Sequence, residues 1–142
     1  QRMSQGDNKR AGEEAVARVL LRLTERGFDC AMPAGDNAAW DLISEKGGKV
    51  NRIQVKSTTS RSRPTSSIYH IRVQRGGDRR SYKKSEFDQL VCVLPWACFI
   101  IPAAKALSSG KRTFAFWEAG KHRKSGGACE WEKYKDAWHF LE

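Results

Sequence analysis

Two β-rich runs, WDLIS (40–44) and VNRIQVKST (50–58), stand on either side of EKGGK (45–49). Such runs joined by a Gly-Gly turn make a β-hairpin, so the rest of the chain has to be built around two antiparallel strands. Ahead of them lies GEEAVARVLLRLTERGF (12–28), where Val16, Val19, Leu20 and Leu23 recur at helical spacing until Gly27 stops the run. Residues up to about Lys9 read as a polar tail, and CAMPAGDNAA, with Pro33 and Gly35, as a polar loop.

Beyond the hairpin, TSRSRPTS (59–66) is a loop and SIYHIRVQ (67–74) alternates as a third strand. EFDQL (86–90) reads as a short helical turn. VCVLP (91–95) and CFIIP (98–102) are apolar runs of buried-strand type, each ended by proline. AAKAL (103–107) is a further helical turn, TFAFWEA (113–119) a late strand, and EWEKYKDAWHFL (130–141) a terminal helix. This order describes α+β or α/β with a mixed sheet. At 142 residues the chain is expected to form a single domain over 1–142, with 1–9 as its tail. With 39% hydrophobic and 30% charged residues, wholesale disorder is excluded. The longest uncharged stretch, Gln89 to Ala104, is 16 residues broken by Pro95 and Pro102, too short to span a bilayer. No cleavable signal peptide is expected ahead of the first helix.

Charge is unevenly placed. Between Arg52 and Lys84 there are ten Lys/Arg and one acid, Asp78, a net of +9, while the other 109 residues carry a net of +1. A basic face on an otherwise balanced domain implies a polyanionic partner, because neutralising phosphates releases condensed counterions. Nucleic acid is the expected partner, held by Arg61, Arg63, Arg75, Arg79, Arg80, Lys83 and Lys84. A membrane is not expected, since no amphipathic basic helix lies there. Tyr69, His70 and Tyr82 are interleaved with these arginines, where they pack in a strand or stack on bases. Ser57, Thr58, Thr59 and Ser60 are phosphate contacts or plain loop residues, and His122 in GKHRKSGG is a solvated loop residue or a phosphate contact.

Cys30, Cys92, Cys98 and Cys129 form no CxxC pair, and His70, His122 and His139 fall at no zinc-finger spacing. Reduced, mostly buried cysteines in a cytoplasmic, nucleoid-associated protein are expected.

The chemistry-bearing residues cluster on the hairpin. Gln54 and Lys56 are two apart and leave the same face of one strand, and the turn brings Asp41 of the other strand alongside. Glu13 lies on the stripe of Val16, Leu20 and Leu23, facing the sheet, whereas Glu14 is one position round and more exposed. A hard cation such as Mg²⁺ suits Asp41, Glu13, the Gln54 side-chain oxygen and the Val55 carbonyl, directly or through water. Such an ion polarises a phosphodiester, and Lys56 stabilises charge in the transition state or holds the attacking water. The plainer reading makes Asp41 and Lys56 a cross-strand ion pair, Gln54 a polar strand residue and Glu13 a helix cap. Asp36 reads as turn chemistry, with a metal role as the alternative, and Trp40 as packing beneath the site.

The stretch GEEAV…RGF…PAGDNAAWDLI…GGKVNRIQVKST (12–58) resembles the PD-(D/E)XK nuclease superfamily, and within it the Q-x-K branch of group I intron homing endonucleases and related putative endonucleases. A weaker similarity continues through YKKSEFDQLVCV and FIIP (82–102). The resemblance implies a restriction-endonuclease-like α/β fold with an αβββαβ core, a mixed central sheet and flanking helices. It also implies an active site of Glu13, Asp41, Gln54 and Lys56, and hydrolysis of DNA with Mg²⁺ or Mn²⁺. Archaeal Holliday junction resolvases are similar in layout but usually carry Glu where this chain has Gln54. Cutting two strands with one site implies a homodimer or higher oligomer. The competing classes are a nuclease-like fold that binds nucleic acid without cutting it, and an RNA-associated protein. The apolar run 91–101 belongs in the core or at the dimer interface.

Overall fold

The computed structural model describes residues 4–74, 81–108, 110–121 and 125–142. Helix α1 spans Gln5–Glu25 and starts earlier than the apolar periodicity suggested. The Ser4 hydroxyl accepts the Asp7 N–H at 3.1 Å, capping the helix within the expected polar tail. At the other end the Gly27 N–H donates to the Thr24 carbonyl and the Phe28 N–H to the Leu23 carbonyl. Gly27 sits at φ 82°, and Phe28 and Leu23 share one apolar cluster, which completes a Schellman motif. The buried stripe is Ala15, Val19 and Leu23. Val16 and Leu20 are only half-buried, so the helix is rotated from the expected orientation and Glu13 does not face the sheet.

The hairpin forms as expected from β2 (Leu42–Lys46) and β3 (Lys49–Ser57), with Gly47 and Gly48 at positive φ in its turn. A three-residue strand, β1 (Asp29–Ala31), pairs antiparallel with β2 inside the expected loop. Strands β5 (Gln89–Val93) and β6 (Cys98–Pro102) complete a five-stranded sheet in the order β1-β2-β3-β5-β6, parallel only between β3 and β5. Strand β4 (Ile68–Arg72) lies outside this sheet, pairing with β7 (Thr113–Trp117) as a separate ribbon. The crossover from β3 to β5 therefore runs through β4 and, among the described residues, holds no helix. The expected helical turn at 86–90 is instead one turn closed by the Glu86 N–H on the Lys83 carbonyl, followed by β5. Helix α2 is the short Ala103–Ser108.

Strand alternation sorts the core into two layers. Leu42, Ile53, Val91 and Ile100 pack under α1, while Leu90, Cys92 and Ile101 pack against Ile71, Phe114 and Phe116 of the ribbon. The run 91–101 is thus largely core, and Cys92, Cys98 and Cys129 are buried free thiols with Cys30 half-buried.

The expected terminal helix is replaced by two 3₁₀ turns, Glu132–Tyr134 and Trp138–Leu141. Trp131 and Tyr134 enter one layer, Trp138 and Leu141 the other. A continuous helix would align all four on one face, so the chain breaks as it rounds the β6 edge. Asp136, at φ 49°, makes the break, its N–H donating to the Cys98 carbonyl at 2.7 Å and its carboxylate accepting the Cys98 N–H at 3.2 Å.

The parallel β3–β5 junction is fastened by Arg52 and Asp88. The Asp88 carboxylate accepts the Arg52 backbone N–H at 2.8 Å and pairs with its guanidinium at 3.2 Å, and the Asp88 N–H returns to the Arg52 carbonyl at 2.9 Å. Burial alone would raise the Asp88 pKa, but the Arg52 side chain and N–H outweigh it and hold it below the usual carboxylate range. A depressed folded-state value means the stabilisation is present above the unfolded pKa and lost as pH falls through the folded one. Asp88→Ala is expected to cost about 1–2 kcal/mol in urea unfolding at neutral pH, the difference shrinking on acidification below the ordinary carboxylate range. An equal cost at all pH values would show that the bond is not what joins the strands.

Candidate active site

The site arises where β2 leaves β3. The Asp41 N–H donates to the Ile53 carbonyl at 2.8 Å, the last backbone rung, and the chain before it turns away into the loop at 32–40. Asp41 itself lies one residue ahead of β2 rather than within it. Strand β3 continues, and the Val55 N–H would be left without a strand partner on that edge. The Asp41 carboxylate takes it, with Oδ2 2.8 Å from the Val55 nitrogen. The N–H and C=O of one strand residue leave on the same edge, so the Val55 carbonyl opens beside this carboxylate and accepts the Gln54 Nε2 at 3.2 Å.

Gln54 and Lys56 share a face of β3, as their spacing requires, and Ile53 and Val55 take the opposite one beneath α1. Gln54 is buried. Lys56 Nζ donates to the Gln74 carbonyl at 2.9 Å and lies 5.3 Å from the centre of the Tyr82 ring. Asp41 and Lys56 therefore influence each other through space, while their hydrogen bonds go to Val55 and Gln74, so a directly bonded cross-strand pair is not what holds them. Burial pushes the Asp41 carboxyl above its ordinary range, against the Val55 N–H and the Lys56 charge. Burial likewise lowers the Lys56 ammonium, against Asp41 and Cys92.

A cleft of about 530 Å³ between α1 and the loop at 32–41 brings Glu13, Asp36, Asp41, Gln54 and Val55 to one cavity. Glu13 is exposed on its wall, beside rather than on the buried stripe, and Asp36 is exposed in the loop. Glu14 turns instead to a small hollow beside Ser57, Thr58 and Thr59. Among the described residues no three His, Cys, Asp or Glu side chains converge. The donors lining the cleft are three carboxylates, a carboxamide and a backbone carbonyl. All supply oxygen, and a half-buried carboxylate without a bonded cation favours one, so this set fits a hard divalent ion that keeps several waters.

The expected nucleic-acid contacts divide. Arg63, Lys83 and Lys84 are exposed. Arg61 is exposed but pairs with Glu118 at 3.5 Å and reaches the Tyr69 hydroxyl at 3.4 Å. Arg75, Arg79, Arg80 and His122 lie outside the described residues. His70 is exposed. Tyr69 and Tyr82 are buried, Tyr69 against Trp96 and Tyr82 against Phe87, so neither presents a ring for base stacking. Sequence reasoning missed Tyr82 and the Gln74 carbonyl as the neighbours that hold Lys56, and no local motif signals them.

The chain is similar in fold to a bacterial homing endonuclease, I-Ssp6803I, with a TM-score of 0.76 and 23% identity over 94% of this chain and 91% of that one. It also matches Hjc, a Holliday junction resolvase from the archaeal hyperthermophile Archaeoglobus fulgidus, with a TM-score of 0.49 and 17% identity over 77% of this chain and 85% of that one. No curated protein sequence matches it. A family model described as PD-(D/E)XK endonuclease matches residues 6–140, a span that takes in α1, every strand and the whole cleft, and the chain therefore belongs to that family.

Proposed function

We propose that this endonuclease is a metal-dependent enzyme that hydrolyses DNA phosphodiester bonds at the α1–β3 cleft, acting as one catalytic domain. The observation that carries the reading is Asp41, a half-buried carboxylate fixed to the Val55 N–H and facing a cleft that Glu13 and Gln54 also border. Asp41, Glu13, the Gln54 side-chain oxygen and the Val55 carbonyl would hold Mg²⁺ or Mn²⁺, which supplies polarisation of the phosphodiester and a more acidic bound water. Lys56 donates toward the phosphate oxygens as charge builds on them, and its desolvation strengthens that interaction. Gln54 in place of an acid removes one negative charge from the cleft, and this favours the second reading, a nuclease fold that binds without cutting. Cleavage of plasmid, linear duplex, four-way junction, flap and single strand with Mg²⁺, Mn²⁺ and EDTA separates the two. The same panel distinguishes a homing-type enzyme from a junction resolvase.

Asp41→Asn and Lys56→Ala are expected to abolish metal-dependent cleavage and leave DNA binding largely intact. Glu13→Ala should weaken cleavage more than Glu14→Ala, and Gln54→Glu should retain or tighten metal binding. Because the folded-state pKa of Asp41 is raised, its ionisation subtracts stability as pH rises, and its loading with metal fails as pH falls through that raised value. In metal-free buffer at neutral pH, Asp41→Asn, which keeps an acceptor for the Val55 N–H, should therefore melt about 1–3 °C higher than the wild type. Divalent ion at tenfold its Kd should raise the wild-type melting temperature by about 5 °C and leave Asp41→Asn unmoved. Wild-type cleavage rates in both variants would return Asp41 and Lys56 to a purely structural role.

The basic segment acts on phosphates. Neutralising Arg79, Arg80, Lys83 and Lys84 together should weaken binding to all duplex sequences alike and lower the log–log salt slope by about 0.9 per lost contact. An unchanged slope would put these residues off the interface.

One cleft per chain and two strands per duplex imply a homodimer or higher oligomer. Sedimentation at micromolar concentration should find it, and a monomer with and without DNA would make the protein a nicking enzyme.

A further inference from the structure

We infer that Arg18, Arg22 and Arg26, on the flank of α1 turned away from the cleft, form a second phosphate-binding track that holds the backbone of bound DNA beyond the scissile phosphate. The inference rests on the DNA reading above and adds to it a surface outside the 52–84 segment. Residues four apart share one helix face, and each such step rises about 6 Å. The three backbone positions thus span about 12 Å, the axial rise of three to four nucleotides at about 3.4 Å per strand.

The row borders a cleft of about 270 Å³ whose other wall is the β5–β6 turn with Trp96 and, below it, Trp138. The Arg26 guanidinium lies 5.1 Å from the centre of the Trp138 ring and also donates to the Arg22 carbonyl at 3.3 Å, which fixes its direction. All three arginines line this cleft together with Cys98 and Asp136. Burial pushes the Cys98 thiol up to about 11, Asp136 adds to that rise, and the three guanidiniums oppose it.

Two acids lie close to the row, one paired with Arg22 and one lining the same cleft, against three guanidiniums. Glu25 pairs with Arg22 at 3.4 Å on the exposed surface, and the Asp136 carboxylate accepts the Cys98 N–H. The Arg18 side chain has no hydrogen bond or ion pair among the described residues. The helix dipole accounts for cations in the last turns of α1, but not for Arg18 in its middle nor for a shaped cleft beneath all three.

Continuity with the proposed active site gives the row its role. Arg18 and Val93 border both this cleft and the hollow beside Ser57, the last residue of β3 and next after Lys56, and Thr58 just beyond it. Glu14 is the acid of that hollow. The track begins one residue past the proposed catalytic lysine and runs toward the C-terminal end of α1.

The test is binding of a 25-bp duplex in EDTA, where nothing is cut, measured against salt for the wild type, for Arg18→Gln alone and for Arg18→Gln/Arg22→Gln/Arg26→Gln. Exposed and unpaired, Arg18 can be replaced without loss of fold, and melting temperatures verify this for both variants. The log–log slope should fall by about 0.9 for the single variant and by between two and three for the triple, with at least a tenfold loss of affinity at low salt. Slopes equal to the wild type overturn the track and leave the nuclease reading standing. Lowered slopes in a protein that cuts no substrate keep the track and remove the nuclease. Unchanged slopes with an altered sedimentation state assign the row to a protein contact and overturn the proposal.

Discussion

The bond from the Val55 N–H to the Asp41 carboxylate is the constraint on which the site depends. A sheet that splits leaves backbone donors facing no strand, and a buried donor has to be paired. Here a side chain completes the rung that β2 abandons. That service fixes Asp41 in place and takes it partly out of water, which is why its carboxyl is held high. Only Oδ2 takes the Val55 N–H, so the bond leaves the other oxygen of the same carboxylate for the ligand role proposed above. The cleft follows from the same split, because the loop at 32–41 has swung away from β3 and opened the space that α1 walls off.

Strand β3 then divides its labour by alternation. Ile53 and Val55 anchor it under α1, and Gln54 and Lys56 emerge on the other face. The parallel neighbour β5 locks its register through Arg52 and Asp88. Lys56 is held between the Gln74 carbonyl and the Tyr82 ring, which stand at the two ends of the 75–81 stretch of the basic segment. The residue proposed to meet the scissile phosphate is thus tied to the segment proposed to hold the strand.

The hairpin, β5, β6, β7 and α2 were legible because each rests on local signals: a Gly-Gly turn, apolar runs closed by proline, and period-two alternation. The hairpin also carries Asp41 to the Val55 N–H and within electrostatic reach of Lys56, though from one residue ahead of β2 rather than from within it. What failed was decided by partners distant in sequence. β1 is three residues that become a strand only because β2 offers an edge. The 130–141 segment has helical spacing in its aromatics, yet packing Trp131 and Trp138 on opposite sides of the sheet overrides it. The rotation of α1 that exposes Glu13 follows from Ala15, a small residue whose burial no hydrophobicity pattern emphasises. Tyr82 read as half-available for stacking because its neighbours in sequence are charged, but Phe87 and the β4–β7 layer claim its ring.

That burial bears on how DNA would be recognised under the proposed function. With Tyr69 and Tyr82 in the core, the described part of the basic segment offers ammonium and guanidinium groups rather than aromatic platforms. Arg63, Lys83, Lys84 and the arginine row of α1 all suit phosphate, which positions a duplex without reading it. The acids of the cleft repel that same phosphate, and under the proposed function a divalent ion together with Lys56 would reverse the sign locally. Binding by cations spread along the surface and chemistry at one acidic point are then separate functions of separate residues. Under the proposed function, selectivity among DNA substrates would then come from their shape, or from the spacing of two clefts in an oligomer, rather than from the described side chains that supply the affinity.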